Sequence, residues 1–115
     1  MGRLTTHVLD TAHGCPAGGM AVTLSRVGET RVELKSMRTN ADGRVDGPLL
    51  EGESFVPGQY VLSFGVAEYF RSRGVALPEP AFLDVVDLCF GLSSSEHYHV
   101  PLLVSPWSYS TYRGS

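Results

Sequence analysis

Four histidines, His7, His13, His97 and His99, are the side chains best suited to move protons near neutral pH. His97 and His99 stand two residues apart in a stretch with strand patterning, so both leave the same face. Such a pair could contribute to a metal site, pass a proton, or form a polar strip on a solvated sheet. A structural zinc needs three or four ligands. The sequence adds no CxxC, no HExxH and no nearby carboxylate, and no metal is expected. His7 alternates with Leu4, Thr6 and Val8 and reads as outward-facing, whereas His13 lies in a glycine-bounded loop and reads as solvated. Asp42 and Asp46 flank Arg44 and read as turn and surface groups rather than as an acid/base pair. The closing Tyr112-Arg113-Gly114-Ser115 follows aromatic Trp107 and Tyr109 where a frayed polar tail would be ordinary. A hydroxyl, a guanidinium, a serine and a terminal carboxylate are gathered there in a small space. No GxSxG elbow, GxGxxG turn or P-loop is present.

These residues need elements to carry them, and the pattern is mostly of period two with glycine and proline punctuation. Leu4 to Leu9 reads as a first strand, broken by Gly14 and Pro16 to Gly19. Met20 to Val27 and Arg31 to Met37 flank a tight Gly28-Glu29-Thr30 connection. Asn40 to Gly43 is a turn signal, and Gln59 to Val66 alternates with Tyr60, Leu62, Phe64 and Val66 on one face. Ala67 to Arg73 is the one stretch of helical character, closed by Gly74. Ala81 to Phe90, His97 to Val104 and Ser108 to Tyr112 complete seven or eight strands, with Ser105-Pro106-Trp107 as the last turn. The expected fold is an all-β, two-sheet antiparallel β-sandwich with one short helix, a single domain over residues 1–115.

Composition narrows the function classes. The chain has 115 residues, 43% of them hydrophobic and 18% charged, which suits one globular domain with a proper core. Nine Lys+Arg against 12 Asp+Glu give a formal charge of −3 and argue against a nucleic-acid partner. No run approaches the ~18 apolar residues of a membrane span. No hydrophobic signal region follows Met1, so a cytoplasmic location and free thiols at Cys15 and Cys89 are expected.

Three segments carry a family resemblance. They are Thr6-His7-Val8-Leu9-Asp10 with Gly14-Cys15-Pro16-Ala17, Thr39-Asn40-Ala41-Asp42-Gly43-Arg44, and the run from His97-Tyr98-His99 through Ser105-Pro106-Trp107 to Tyr112-Arg113-Gly114-Ser115. Glu68-Tyr69-Phe70 and Phe82-Leu83 fit between them. The chain resembles the 5-hydroxyisourate hydrolases, the enzymatic branch of the transthyretin family, over essentially its whole length.

The resemblance implies a homotetramer, a dimer of dimers around a central channel where the active sites lie. It implies hydrolysis of 5-hydroxyisourate, a small-molecule substrate from urate oxidation, to 2-oxo-4-hydroxy-4-carboxy-5-ureidoimidazoline, without a cofactor. The catalytic positions carried over are His7, Arg44, His99 and Ser115. Tyr112, Arg113 and Gly114 join His7 and Arg44 in binding substrate, and His97 is ranked as a group that orients its neighbour. The location implied is a bacterial cytoplasm, or the peroxisome for a eukaryotic chain. The alternative is a transthyretin-like carrier that binds a small ligand in the same channel without turnover.

Overall fold

The computed structural model describes residues 2–115. The described elements are β1 Arg3–Thr5, β2 Val8–Asp10, β3 Cys15–Pro16, β4 Ala21–Val27, β5 Arg31–Arg38, β6 Leu50–Glu51, β7 Gly58–Gly65, α1 Val66–Ser72, β8 Val85–Leu92, β9 His97–His99, β10 Leu102–Val104 and β11 Tyr109–Ser110, with a 3-10 turn at Gly52–Ser54. One layer is the antiparallel sheet β5-β4-β7-β8. The other consists of β6-β1-β9 and β11-β10-β2-β3, making a predominantly antiparallel β-sandwich with one short helix.

The second layer contains a feature that periodicity does not reveal. β1 pairs with β9, and β2 with β10, in parallel. The register carries through from Thr5 opposite His99 to Val8 opposite Leu102. Between them the Val100 amide donates to the Thr5 carbonyl at 2.9 Å, and the Leu102 amide to the His7 carbonyl at 2.9 Å. Each stretch expected as one strand, Leu4 to Leu9 and His97 to Val104, is therefore two short strands on a common course. Pro101 cannot donate to a ladder, which breaks one of them. The other breaks where the Val8 amide turns to the Gly43 carbonyl at 2.8 Å. Parallel neighbours need a long crossover, and here the whole of the other layer and α1 supply it.

Alternation places Leu4, Thr6, Val8 and Asp10 inside and leaves Thr5, His7 and Leu9 partly exposed. The inner face packs Leu4, Val8, Tyr98, Val100, Leu102 and Val104 against Val22, Leu24, Tyr60, Leu62 and Phe64 of the opposite sheet. Helix α1 adds Val66, Tyr69 and Phe70. Its end is a Schellman closure: Gly74, at φ +81°, donates to Arg71 O and Val75 donates to Phe70 O, each at 3.0 Å. Cys15 and Cys89 are free thiols. No described helix is long and apolar enough to cross a membrane.

Candidate active site

Four chain segments lie side by side on the outer face of the second layer, at the level where its strands break. Arg44 is bridged to His7, Thr5 pairs with His99, and His99 is bridged on its far edge to Gly114. Neighbouring strands lie about 4.8 Å apart, so residues scattered from position 5 to position 115 form one row across the sheet. A recess of about 340 Å³ opens on this row, lined by Thr5, Arg44, His97, His99 and Ser115.

Arg44 is delivered by its turn. Asn40 Oδ1 accepts the amides of Asp42 at 2.9 Å and Arg44 at 3.1 Å, closing the loop on itself. Gly43 sits at φ +77°, and a Cβ there would run into the Val8 carbonyl oxygen. The turn can thus lie flat on the strand that carries His7. Asp42 contributes through its backbone: its carbonyl accepts from His7 Nε2 at 2.8 Å. A carbonyl can only accept, so His7 carries hydrogen on Nε2 and, when neutral, keeps a lone pair on Nδ1. Asp46 accepts the Asn40 amide nitrogen at 3.1 Å. Both aspartates are turn and surface groups, as their place beside Arg44 suggests.

On the other side of the row, His99 Nδ1 lies 2.8 Å from Thr5 Oγ1, and His97 Nε2 lies 3.4 Å from the same oxygen. His99 is partly buried, and that burial, with the positive charge of Arg44 and the neighbouring His7 and His97, lowers its pKa below the usual imidazole value. It is therefore neutral at pH 7. Nothing described engages its Nε2, nor does any described carboxylate pair with the Arg44 guanidinium. The row thus offers a bare imidazole nitrogen near an uncommitted cation.

The tail is ordered by several contacts. His99 and Gly114 exchange two backbone bonds of 3.0 and 2.7 Å, and Thr111 Oγ1 donates to the Pro101 carbonyl at 2.6 Å. The Arg113 guanidinium stacks over the Tyr98 ring at 4.3 Å and donates to Glu96 at 3.1 Å. Ser115 reaches the recess, but Tyr112 and Arg113 line a separate hollow beside Phe90 and Tyr98. Within one chain the expected substrate-binding set therefore divides between two places. Thr5 is the site residue that site reasoning from sequence left out. Its parity with His7 was the one available signal, because its pairing with His99 is a matter of strand order.

His13 lies exposed in its loop, as expected, and is also tied to the interior. Its Nδ1 lies 2.6 Å from Asp10 Oδ2, its backbone amide donates to Asp10 Oδ1 at 2.9 Å, and its ring stacks on Phe70. Tyr69 Oη donates to Asp10 Oδ2 at 2.7 Å. Asp10 points inward two residues along from Val8, where pattern alone gives no hint of partners. Among the described residues, no group of three or more His, Cys, Asp or Glu is placed to hold a metal ion.

The fold and the row define a class: a transthyretin-type β-sandwich with a polar, histidine-bearing site on the outer face of one sheet. A sequence model of the HIUase/Transthyretin family matches residues 4–114. The chain belongs to that family. It is 62% identical over its full length to 93% of the 5-hydroxyisourate hydrolase of Pseudomonas aeruginosa. It is 45% identical, over 97% of its length and 94% of the relative's, to the Mus musculus protein of the same name. Among solved structures, Klebsiella pneumoniae 5-hydroxyisourate hydrolase superposes with a TM-score of 0.83 at 33% identity, with both chains fully covered. An (S)-allantoin synthase structure gives 0.94 at 50% identity, with 99% of this chain spanning 44% of that one. Sea bream transthyretin in complex with thyroxine gives 0.86 at 27% identity, covering 97% of this chain and 94% of that one.

Proposed function

We propose that this chain is a hydroxyisourate hydrolase: it opens 5-hydroxyisourate to 2-oxo-4-hydroxy-4-carboxy-5-ureidoimidazoline as a single domain over residues 1–115. The observation that carries the reading is the row itself. His7, Arg44, His99 and Ser115, far apart in sequence, meet on four adjacent segments. Fold alone would not decide, since the same sandwich serves a thyroxine-bound transthyretin. The residues on the outer face favour the hydrolase.

The chemistry follows from the groups. Neutral His99 takes a proton from water at Nε2 as the water oxygen bonds to a ring carbonyl carbon, and the carbonyl electron pair moves onto oxygen. A positioned base of this kind contributes ~10²–10⁴-fold. Arg44, which cannot lose its proton, holds the oxyanion. The tetrahedral centre collapses, the ring C–N bond breaks, and the departing nitrogen takes up the proton. His7, fixed by the Asp42 carbonyl, presents Nδ1 to the substrate as an acceptor. Ser115, Gly114 and Tyr112 orient the flat polar ring.

A row on an open face needs a cover to exclude water. The homotetramer, a dimer of dimers with these faces lining a channel, supplies one, and it places Tyr112 and Arg113 where a neighbouring copy's substrate can meet them. The assembly works in the cytoplasm. The reading is tested by generating 5-hydroxyisourate from urate with urate oxidase and following its decay. A rate that rises in proportion to the protein and disappears in His99→Ala supports it, whereas decay at the background rate refutes it.

A further inference from the structure

We propose that Thr5 and His97 form a proton relay behind His99, with the Thr5 hydroxyl passing a proton between the two imidazoles. The proposal rests on the hydrolase reading and assigns work to two residues that the reading leaves idle. Its geometric basis is one oxygen between two rings: Thr5 Oγ1 is 2.8 Å from His99 Nδ1 and 3.4 Å from His97 Nε2. Parallel pairing puts it there, because Thr5 lies opposite His99 while Arg3 lies opposite His97.

A hydroxyl has one hydrogen to give and lone pairs to accept with. Two neighbouring rings can therefore both be satisfied only if the bonds run in one direction. In the resting direction, His99 donates Nδ1–H to Thr5 Oγ1, and Thr5 donates to His97 Nε2. This leaves His99 Nε2 bare, as a base must be. The reverse direction puts the hydrogen on His99 Nε2 and makes it a donor. The two arrangements differ only by moving each hydrogen one place along the chain.

The relay uses that reversal. When His99 Nε2 takes the proton of the attacking water, its Nδ1 proton passes to Thr5 Oγ1 while the Thr5 hydroxyl proton passes to His97 Nε2. One N–H and one O–H bond break, one of each forms, and no electron is transferred. His99 is left neutral with Nε2–H, ready to protonate the departing ring nitrogen, and His97 holds the charge. As the nitrogen takes the Nε2 proton, the Thr5 hydroxyl proton passes to His99 Nδ1 and the His97 Nε2 proton passes to Thr5 Oγ1 in the same movement, so His99 stays neutral throughout and the cycle closes. Electrostatics favour the export. His99 is partly buried and faces His7 and Arg44, whereas His97 is exposed, with Arg3 opposite and Glu96, itself paired with Arg113, beside it in the chain.

Thr5→Val keeps the shape and removes the hydroxyl, while Thr5→Ser keeps the hydroxyl. For Thr5→Val, kcat is expected to fall about tenfold or more with KM within about twofold, and Thr5→Ser to recover most of the loss. With no acceptor for Nδ1–H, the imidazolium of His99 is less favoured. The acid limb of kcat/KM then moves to lower pH in Thr5→Val and returns in Thr5→Ser, which a purely structural contact would not produce. The groups facing the pair, His7, Arg44, Arg3 and Glu96, are the same in both variants. Wild-type kcat with an unshifted limb in Thr5→Val overturns the proposal. So does a ring-nitrogen NMR spectrum of the wild-type protein, above its titration, with the His99 hydrogen on Nε2 rather than Nδ1. That spectrum needs no variant and no substrate, so it reports on the relay even if the wild-type protein fails to accelerate 5-hydroxyisourate decay, the result that would refute the hydrolase reading instead.

Discussion

Two polar clusters sit on one course of chain, and they differ in what is left unsatisfied. On β1 and just beyond it, Thr5 and His7 point outward into an open row with Arg44 and His99. There His99 Nε2 and the Arg44 guanidinium have no described partner. On β2, Asp10 points inward, only 1% exposed, and its oxygens receive Tyr69, the His13 amide and the His13 ring. Burial pushes the Asp10 carboxyl up, but those hydrogen bonds and the imidazole charge outweigh it and hold its pKa below the usual value. Tyr69 is pushed up to about 12, chiefly by burial and by its bond to Asp10. A buried group whose bonding capacity is filled holds structure together, and a group with capacity to spare on an accessible face can bind and react.

The largest effect should come from taking the base out of the open cluster. His99→Ala is expected to lower kcat/KM by ~10²–10⁴-fold and Arg44→Ala by ~10²–10³-fold, with thermal midpoints close to wild type. Steady-state rates beside circular-dichroism melts test this. A melt that collapses along with the rate would erase the distinction between the clusters. The inner cluster should respond the opposite way. Asp10→Ala strands the Tyr69 hydroxyl and the His13 ring, and is expected to cost about 3 kcal/mol of stability in urea titrations. Turnover per folded molecule should stay near wild type.

Gly43→Ala breaks the separation between them. The added Cβ meets the Val8 carbonyl from a backbone at positive φ, displacing the turn that delivers Arg44 and pressing on the strand that leads to Asp10. Stability should fall by about 2 kcal/mol, and kcat should fall with it. An unchanged kcat would show that Arg44 does not depend on its turn.

How much of this could be read from the chain follows the same division. Alternation from Leu4 to Val8 and from Tyr60 to Val66 reports which face is buried, because one side of each strand must leave water. The hairpin at Gly28 and the helix closure at Gly74 are local backbone chemistry and can be read locally. The candidate residues His7, Arg44, His99 and Ser115 were legible through family resemblance, and their row was not. Strand order and parallel pairing depend on contacts between residues nearly a hundred positions apart, and a period-two pattern is silent about its partner. Thr5 went unremarked for that reason. His13 is as exposed as its loop suggests, but loop composition says nothing about the buried carboxylate that its amide and ring serve.

Acid should separate the clusters in time. His99 has a lowered pKa, so kcat/KM should hold its plateau through neutral pH and fall only below the ordinary imidazole value of about 6.5. Asp10 also has a lowered pKa, which for a carboxylate means its stabilisation is complete above its unfolded value near 3.8 and is lost as pH falls through the lower folded value. A pH–rate profile measured beside urea midpoints should show activity lost at a pH where the Asp10 contribution is intact. Asp10→Asn should remove that part of the acid dependence and leave the activity limb in place.

The smallest effect discriminates most finely. His13 belongs to the inner cluster but lies at its rim, with about a third of its side chain exposed. His13→Ala removes one hydrogen bond to Asp10 and the stacking on Phe70, while Tyr69 and the residue-13 backbone amide still serve the carboxylate. The expected cost is about 1 kcal/mol, a shift of a few degrees in midpoint, with kcat and KM unchanged. A change in kcat without loss of stability would mean that the inner cluster communicates with the row along the β1–β2 course. Two polar clusters on one chain would then be a single functional unit, and the difference in their burial would no longer separate structure from chemistry.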